Sequence, residues 1–475
     1  MSCSLSSMPN RHETVRSLWE VTGRKIKRVR AVVRAAITPR RGLMIASWIM
    51  CVLLILLSTN AFAQQPSSTR IDENAELRLE IKQLRERLEK LETQQRTVSA
   101  AAEKSKETTS AEPSASPEAT TTPTGKTDDH GILNFFKEVE VSGFIDGYYG
   151  YNFNKPAGRV NVLRNFDTRS NQFALNLAEI VIEKKPDPLN SRVGFRLDLD
   201  YGPATDLVHA SEPGGKDVYK VIQQAYGSYL TPIGSGLQID FGKFVTVHGA
   251  EVIETKDNWN YSRGLLFAWA IPYYHFGVRA KYALNSKISL TGLVVNGWNN
   301  VEENNGGKTF GVTLGLTPTP KLSIVQNYMT GPEQPNDNKR YRHLSDTTVT
   351  YGFNKRWALM GNYDYGIDTL TAGGKVHWQG VAGYLRYAPT ERLAFTPRYE
   401  WFDDHDGFST GTAQRVKEFT MTGEYKLRPS LITRFEFRRD WSNQPFFPKS
   451  DPTVFARSQS TVLSGLIWTF GTREQ

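Results

Sequence analysis

Short stretches in which apolar and polar residues alternate recur through the chain from residue 138 to residue 471. Tight turns join these stretches in pairs, and longer polar loops lead from one pair to the next. The seven tight turns are residues 186–190, 231–236, 284–287, 317–320, 353–356, 389–392 and 427–430. Alternation with a period of two is typical of β-strands that have two unlike faces. The pattern therefore predicts an antiparallel up-and-down sheet with short turns at one end and long loops at the other.

The alternating segments number about sixteen, and an even number is what closed bacterial membrane sheets use. The predicted strands are 138–152, 170–184, 190–202, 218–231, 236–247, 275–284, 286–297, 308–318, 319–330, 340–353, 354–365, 376–389, 390–403, 414–427, 429–441 and 458–471. Boundaries read from alternation shift by a few residues. Fourteen or eighteen strands therefore remain open alternatives.

The predicted strands divide their residues between an apolar and a polar face. In 429–441 one face holds Leu431, Thr433, Phe435 and Phe437, and the other holds Arg434, Glu436, Arg438 and Asp440. A membrane barrel turns the apolar face to lipid and the polar face to a wet interior, whereas a soluble sandwich does the reverse, and alternation alone does not distinguish them. Aromatic residues near many strand ends, which membrane barrels place at the lipid interfaces, favour the barrel.

The N-terminal segment has the pattern of a secretory signal. Basic residues precede an apolar core at 43–57, and the small residues Ala61 and Ala63 follow it as a cleavage site. The core has roughly 15 residues, fewer than the about 20 that a membrane span needs. We expect residues 1–63 to be a signal peptide, with an uncleaved anchor as the alternative and with Met8 or Met44 as other candidate start sites.

The net charge of +9 is concentrated in this segment. Ten Lys and Arg residues against two Glu precede Ala63, so +8 lies there and about +1 remains for the rest of the chain. A basic surface for nucleic acid is therefore not indicated. Both cysteines, Cys3 and Cys51, also lie in the removable part, which leaves a mature chain without disulfides or thiol chemistry.

Two further segments precede the predicted sheet. In 64–97 the residues Leu77, Ile81, Leu84, Leu88 and Leu91 are spaced by four and three among charged residues, as in the seam of a coiled coil. Because this seam spans only about three heptads, a single solvated helix is the alternative. Residues 98–130 are rich in Ala, Ser, Thr and Pro and predict a flexible linker. The predicted fold class is all-β: a transmembrane up-and-down antiparallel β-barrel of residues 131–475, with an N-terminal coiled-coil helix.

Catalytic and cofactor motifs are missing from the sequence. The chain has no nucleophile elbow, no phosphate-binding loop and no paired-histidine zinc motif. Residues 403–407 carry three aspartates that could bind a hard cation, but a solvated acidic loop tip explains them better. His248 and His275 flank one long connection, and metal binding there is a minor alternative. We therefore expect no enzyme activity, no cofactor and no metal site.

The connection 249–274, between the fifth and sixth predicted strands, is the longest candidate for a functional loop. It begins with acidic residues and ends in an apolar run at 265–274, which water would disfavour. We expect the run to be buried in the lumen or at a subunit contact, with a loop lying over the rim as the alternative. An inward loop would narrow a pore, and the predicted constriction residues are Glu251, Glu254, Asp257, Tyr261 and Arg263.

Charged residues on the polar faces of the strands are the candidates for a pore wall opposite this loop. They are Arg196, Asp198, Arg279, Lys281, Arg386, Arg398, Arg434, Glu436 and Arg438. Rings of charge set the selectivity of channels by favouring counter-ions. Because both signs are present, we do not expect a strong filter of a single sign.

Several segments together resemble the putative β-barrel porin family of the OmpL-like group. They are 241–246, 251–254, 258–263 and 270–275, together with 176–179 before the first tight turn. The resemblance covers the predicted barrel, and Asn260-Tyr261-Ser262-Arg263 is its most specific part. It implies an outer-membrane porin of Gram-negative bacteria with general solute specificity, and it supplies no binding residues. The chain departs from usual barrel assembly signals because five residues follow Phe470.

These observations predict a porin in the cell outer membrane that passes small hydrophilic solutes or ions by passive diffusion, with the coiled coil in the periplasm. The expected partners are outer-membrane lipid and the solutes, with no nucleic acid. A homotrimer is suggested by the porin resemblance alone. The alternative is an envelope-tethering or ligand-binding barrel with a plugged lumen.

Overall fold

The computed structural model describes residues 138–210, 212 and 219–472. The predicted signal peptide (1–63), coiled coil (64–97) and linker (98–130) lie outside the described residues and stay predictions. The predicted barrel segment, 131–475, is described from Glu138 onward.

Sixteen antiparallel strands close into one barrel, which confirms the predicted all-β, up-and-down barrel. The strands are β1 (Glu140–Asn152), β2 (Gln172–Lys184), β3 (Val193–Tyr201), β4 (Ile222–Thr231), β5 (Leu237–Val245), β6 (Tyr274–Asn285), β7 (Ile288–Val295), β8 (Thr309–Thr319), β9 (Leu322–Pro332), β10 (Tyr341–Gly352), β11 (Trp357–Thr369), β12 (Lys375–Tyr387), β13 (Leu393–Asp404), β14 (Gln414–Arg428), β15 (Leu431–Ser442) and β18 (Ser458–Gly471). A two-stranded hairpin, β16 (Phe447–Pro448) and β17 (Phe455–Ala456), lies between β15 and β18. The barrel closes where β1 pairs with β18, for example Ile145 with Trp468.

The tight turns fall where the sequence predicts them, and the strand ends shift by a few residues. The largest difference concerns β11, predicted at 354–365 and observed at Trp357–Thr369. Asn354 accepts hydrogen bonds from the backbone amides of Arg356 and Trp357, at 2.8 Å and 3.1 Å, which makes the first predicted residues part of the turn. At the other end the ladder with β12 continues to the pair Thr369 and Lys375.

The two faces of each strand are arranged as in a membrane barrel. On β15, the outward Phe435 is 61% exposed, whereas the inward Arg434 is 1% exposed. Closing the sheet pairs every edge, which is the arrangement that lets β-structure exist in a bilayer. The apolar exterior and polar interior exclude the soluble sandwich, whose polar face would lie outside.

The described parts of the connections include three short helical segments. They are α1 (Pro203–Val208), a 3₁₀ turn (Thr255–Asp257) and α2 (Leu265–Trp269). Within the described part of the chain, no helix is both long and apolar enough to cross a membrane. The largest cluster of buried apolar residues includes Tyr261, Leu265 and Leu266 from the connection between β5 and β6, together with Phe144 and Trp378 from the strands. The apolar core of this barrel therefore lies inside the lumen, where that connection packs.

Candidate functional site

Residues 246–273, which connect β5 to β6 and are called the lumen loop below, fold into the barrel. The side chains of Tyr261 and Leu265 and all of Ala270 are fully buried. Ala270 accepts a hydrogen bond of 3.0 Å from Nε1 of the inward Trp378 on β12. Of the two burial sites that the apolar run allows, the structure places the loop in the lumen.

The start of the lumen loop is held by three polar residues on β9, β10 and β11. The amide of Gly249 donates to Asp346 Oδ2 at 2.9 Å, and that of Ala250 donates to Asn362 Oδ1 at 3.2 Å. Asn327 donates to the carbonyl of Val247 at 3.0 Å and to Asp346 at 2.6 Å. Because these groups also bond one another, the loop enters the lumen at a fixed point of the wall.

Arg434 on β15 binds the backbone of the lumen loop directly. Its guanidinium donates to the carbonyls of Thr255 at 2.7 Å, Asn260 at 3.0 Å and Asn258 at 2.7 Å. Its Nε donates to Glu424 at 2.9 Å, which neutralises the buried charge. Since Arg presents five donors in a rigid fork, one side chain can fix three carbonyls and one carboxylate.

Arg398 on β13 and Arg438 on β15 hold the next part of the loop. Arg398 donates to Glu251 at 2.6 Å and to the Ser262 carbonyl at 2.7 Å, while its Nε bonds Glu418 at 3.0 Å. Arg438 donates to the carbonyl of Arg263 at 2.6 Å and pairs with Glu418 at 2.8 Å. Buried charges are tolerated only when they are paired and hydrogen-bonded, and these contacts meet that condition.

Inward carboxylates bind the amide groups of the same segment. Glu436 accepts hydrogen bonds from the amides of Tyr261 at 2.8 Å and Ser262 at 3.2 Å. Glu400 on β13 accepts from the amide of Leu265, and within the loop itself Glu251 accepts from the amide of Gly264 at 2.6 Å. The wall therefore supplies donors to the loop carbonyls and acceptors to the loop amides, much as a neighbouring strand would.

Among the predicted constriction residues, Arg263 forms hydrogen bonds to other parts of the lumen loop. It donates to the carbonyls of Tyr261 at 2.8 Å and Ile253, and its guanidinium lies 4.2 Å from the ring centre of Phe166. It is buried and does not face open lumen. Its position indicates a role in shaping the loop.

Tyr261 packs where the wall has no side chain. Its ring lies against Gly465 on β18, so that a Cβ at residue 465 would fall 2.4 Å from the ring. The ring also lies 5.7 Å, centre to centre, from that of Tyr148 on β1. Gly465 is thus required by the close approach of the loop to the strand.

The acidic residues of the loop divide between three positions. Glu251 is bound to Arg398, as described, while Asp257 is exposed and pairs with Lys256 at 2.6 Å. Glu254 is directed toward Glu179 on β2 and Asp198 on β3. Burial raises the pKa of the Glu254 carboxyl, and the negative charge of Asp198 raises it further.

The nine predicted wall residues separate into two groups. Arg196, Lys281 and Arg386 keep solvent exposure, with 26%, 38% and 22% of their side-chain surface accessible. They pair with Asp198, Asp240 and Glu424 at 2.9 Å, 2.9 Å and 2.8 Å. The others are buried: Asp198, Arg279, Arg398, Arg434, Glu436 and Arg438. Four of these, on β13 and β15, bind the lumen loop. Three of the seven predicted basic wall residues, Arg398, Arg434 and Arg438, therefore serve to hold the loop.

Several residues of this site were not predicted from the sequence. Asp346, Glu400, Glu418, Glu424 and Gly465 all contact the lumen loop or its arginines. Glu400 is two residues from Arg398 and therefore shares its inward face, so the alternation could have identified it. Gly465 gave no such signal, because nothing in its own strand indicates an approaching tyrosine.

The other candidates have ordinary structural roles. His275 bonds the Gly297 carbonyl at 2.9 Å and Thr246 at 3.1 Å, and His248 also bonds Thr246 at 3.1 Å. Burial lowers the pKa of His248 to about 4. Asp404 is buried and accepts the amide of Thr410 at 2.6 Å, so the expectation of a solvated acidic tip is wrong for this residue.

Several solved structures of outer-membrane proteins are similar to this chain. An anion-selective porin from Comamonas acidovorans has 10% identity and a TM-score of 0.48, covering 70% of this chain and 99% of that chain. The outer membrane channel DcaP of Acinetobacter baumannii has 12% identity and a TM-score of 0.46, covering 70% and 97%. OmpT of Vibrio cholerae also has 12% identity and a TM-score of 0.46, with the same coverage.

One protein family matches the barrel as a whole. No curated protein matches the chain. The family model described as "Putative beta-barrel porin-2, OmpL-like" matches residues 138–470, which leaves out only the last residue of β18 among the barrel strands. The chain therefore belongs to this family and is an outer-membrane porin.

Proposed function

We propose that this porin passes small hydrophilic solutes and ions by passive diffusion through the part of the lumen that the lumen loop leaves open. The observation that carries the proposal is the inserted loop, held to one stretch of wall by Arg398, Arg434 and Arg438. A loop fixed in this way narrows a lumen without moving during transport. The proposal involves no catalysis, cofactor or energy source.

The preference among solutes would depend on the charged side chains of the lumen that are exposed to solvent. Arg196, Lys281 and Arg386 line the interior with accessible guanidinium or ammonium groups. The carboxylates that pair with them, Asp198, Asp240 and Glu424, are buried by comparison. Since a permeating ion interacts most with exposed charge, we propose a modest preference for anions.

Conductance in planar bilayers tests this function. We expect discrete single-channel steps and a reversal potential, in a salt gradient, of the sign for anion preference. A unit charge about 4 Å from an ion contributes about 1 kcal/mol in water. Replacing both Lys281 and Arg386 by glutamine should therefore lower the anion-to-cation permeability ratio several-fold.

The control for this experiment is Lys417→Gln, which removes one positive charge from the outward face of β14. It should leave the reversal potential as in the wild type. Cation preference in the wild-type channel, or a double variant with unchanged permeability ratio, would contradict the assignment of selectivity to the exposed wall cations.

A barrel with a plugged lumen is the second candidate function. The lumen loop is bonded to the wall from Val247 to Ala270, and its apolar part is fully buried. Such dense packing also suits a barrel that tethers the envelope or binds a ligand through its outer loops. Absence of conductance from well-folded protein would favour this candidate over diffusion.

Trimeric assembly in outer-membrane lipid is part of the proposal. The outward face carries aromatic residues such as Phe173, Phe241 and Phe435, which are exposed in the single chain and suit either lipid or a neighbouring subunit. Chemical cross-linking of the protein in mild detergent should yield a species of three protomers. A barrel that remains a monomer at all cross-linker concentrations would exclude the trimer.

A further inference from the structure

Four inward carboxylates meet where the lumen loop passes β2 and β3. Glu179 on β2 lies directly opposite Asp200 on β3, and Asp198 is two residues along β3 on the same face. Glu254 of the lumen loop completes the group. One carboxylate oxygen each from Glu179, Asp198 and Glu254 lie within 4.8 Å of one another. Like charges directly opposite across two strands destabilise a sheet unless something neutralises them.

The protein itself leaves part of this charge unmatched. Glu179 is 1% exposed, and neither of its carboxylate oxygens has a hydrogen-bond partner among the described residues. Oδ1 of the equally buried Asp200 is also without a partner there. A buried carboxylate without hydrogen bonds is costly. We therefore expect a positively charged ligand that carboxylate oxygens can coordinate at this point.

Three nearby cations bind groups other than Glu179 and Glu254. Arg196 binds Asp198 at 2.9 Å, and Lys256 binds Asp257 at 2.6 Å. Lys243 donates to the carbonyls of Tyr219 at 3.0 Å and Ile222 at 2.6 Å. Arg196 Nε contacts both oxygens of Asp198, and Gln224 donates to its Oδ2. Because each carboxylate oxygen has two lone pairs, Oδ1 of Asp198 keeps one for a further group.

We propose that Glu179, Asp198 and Glu254 bind one divalent cation of the calcium class. Oxygens that each lie 2.3–2.6 Å from a Ca²⁺ ion are at most about 5 Å apart, and the three carboxylate oxygens lie within 4.8 Å of one another. The donor set consists of carboxylate oxygens with no histidine or cysteine, and hard cations prefer such ligands. Calcium fits better than magnesium because it accepts irregular geometry and completes its shell with water or backbone carbonyls.

The position of this site gives it a structural consequence. Glu179 and Asp198 belong to the wall, whereas Glu254 belongs to the lumen loop immediately before the 3₁₀ turn. A bound cation would therefore attach the loop to β2 and β3, in addition to the attachment by arginines on β13 and β15. The inference goes beyond passive diffusion, and cation binding is measurable whether or not the barrel conducts.

Isothermal titration calorimetry of the folded barrel in detergent, after removal of divalent ions by chelation, tests the site. Calcium chloride should bind the wild-type protein with a stoichiometry of one per protomer. Glu179→Gln and Glu254→Gln should each weaken binding at least about tenfold, since each removes a direct ligand. Glu391→Gln makes the same replacement of a carboxylate by an amide, but at an exposed turn residue, and should bind calcium as the wild type does.

Hydrogen–deuterium exchange provides a second measurement on the same proteins. Calcium should slow exchange in the loop peptide 252–257 of the wild type and leave it unchanged in Glu254→Gln. Heat-dependent mobility on gels verifies that each variant has folded. A folded wild-type barrel that binds no calcium, or folded Glu179→Gln and Glu254→Gln barrels with wild-type affinity, would overturn the proposal.

Discussion

Replacing Arg434 by methionine is expected to release the lumen loop from the barrel wall. The change removes the donor of three loop carbonyls, those of Thr255, Asn258 and Asn260. Hydrogen bonds from a charged donor contribute about 1.5–3 kcal/mol each, and each 1.4 kcal/mol of local stability corresponds to a factor of about ten. Amide exchange in the peptide 255–263 should therefore become more than about tenfold faster, and conductance steps should become larger and noisier.

The matched control for this variant is Arg386→Met. Arg386 binds the same carboxylate as Arg434, Glu424, at 2.8 Å, but in the described part of the chain its hydrogen bonds do not reach the lumen loop. Each variant retains one of the two arginines, so Glu424 keeps a guanidinium partner in both. Exchange in 255–263 should stay at the wild-type rate in Arg386→Met. Equal exchange rates in the two variants would show that the guanidinium of Arg434 does not hold the loop.

Substituting valine for Gly465 is expected to displace the lumen loop, because the new side chain would clash with Tyr261. A Cβ at this position would lie 2.4 Å from Cε2 and 2.5 Å from Cδ2 of Tyr261, closer than non-bonded carbons approach. Overpacking of a well-packed interior costs about 1–3 kcal/mol. The variant barrel should unfold at a lower temperature, measured by loss of its heat-resistant mobility on gels, and its loop amides should exchange faster.

Two further variants show whether Tyr261 is responsible. Tyr261→Ala in the Gly465→Val background vacates the space that the new side chain needs, so thermal stability should recover in part, with a non-additive cycle as expected for residues in contact. Gly383→Val adds the same side chain on β12, where a Cβ meets no atom within 4 Å, and should leave the loop as in the wild type. Additive losses in the double variant would rule out the contact with Tyr261 as the cause.

Local chemistry determines much of this fold, and the sequence therefore predicts it. Alternation with a period of two identifies which side chains share a face, as for Arg434 and Phe435 on β15. Turn residues such as Asn354 mark where a strand must reverse. The number of strands and the inward direction of Arg398, Arg434 and Arg438 were predictable for this reason. Strand ends were less predictable, because the pairing of β11 with β12 continues beyond the alternating segment to Thr369 and Lys375.

Other properties depend on residues that are distant in the sequence. The apolar run of the lumen loop indicated burial, but only the closed barrel decided that it is buried in the lumen. Arg434 appeared in the sequence as a wall charge, whereas its three loop carbonyls lie more than 170 residues away along the chain. No spacing rule connects such partners, because the bonds depend on where the loop backbone lies and not on its side chains.

The strands, their two faces, the tight turns and the identity of the inward charged residues follow from the local sequence. Each of these depends on neighbours within a few residues, through the period of the strand and the chemistry of the turn. The loop contacts of Arg398, Arg434 and Arg438, the need of Tyr261 for Gly465, and the convergence of Glu179, Asp198 and Glu254 follow only from the closed barrel. These arrangements exist because closing the barrel brings residues from distant strands to one interior, where buried charge and backbone must find partners.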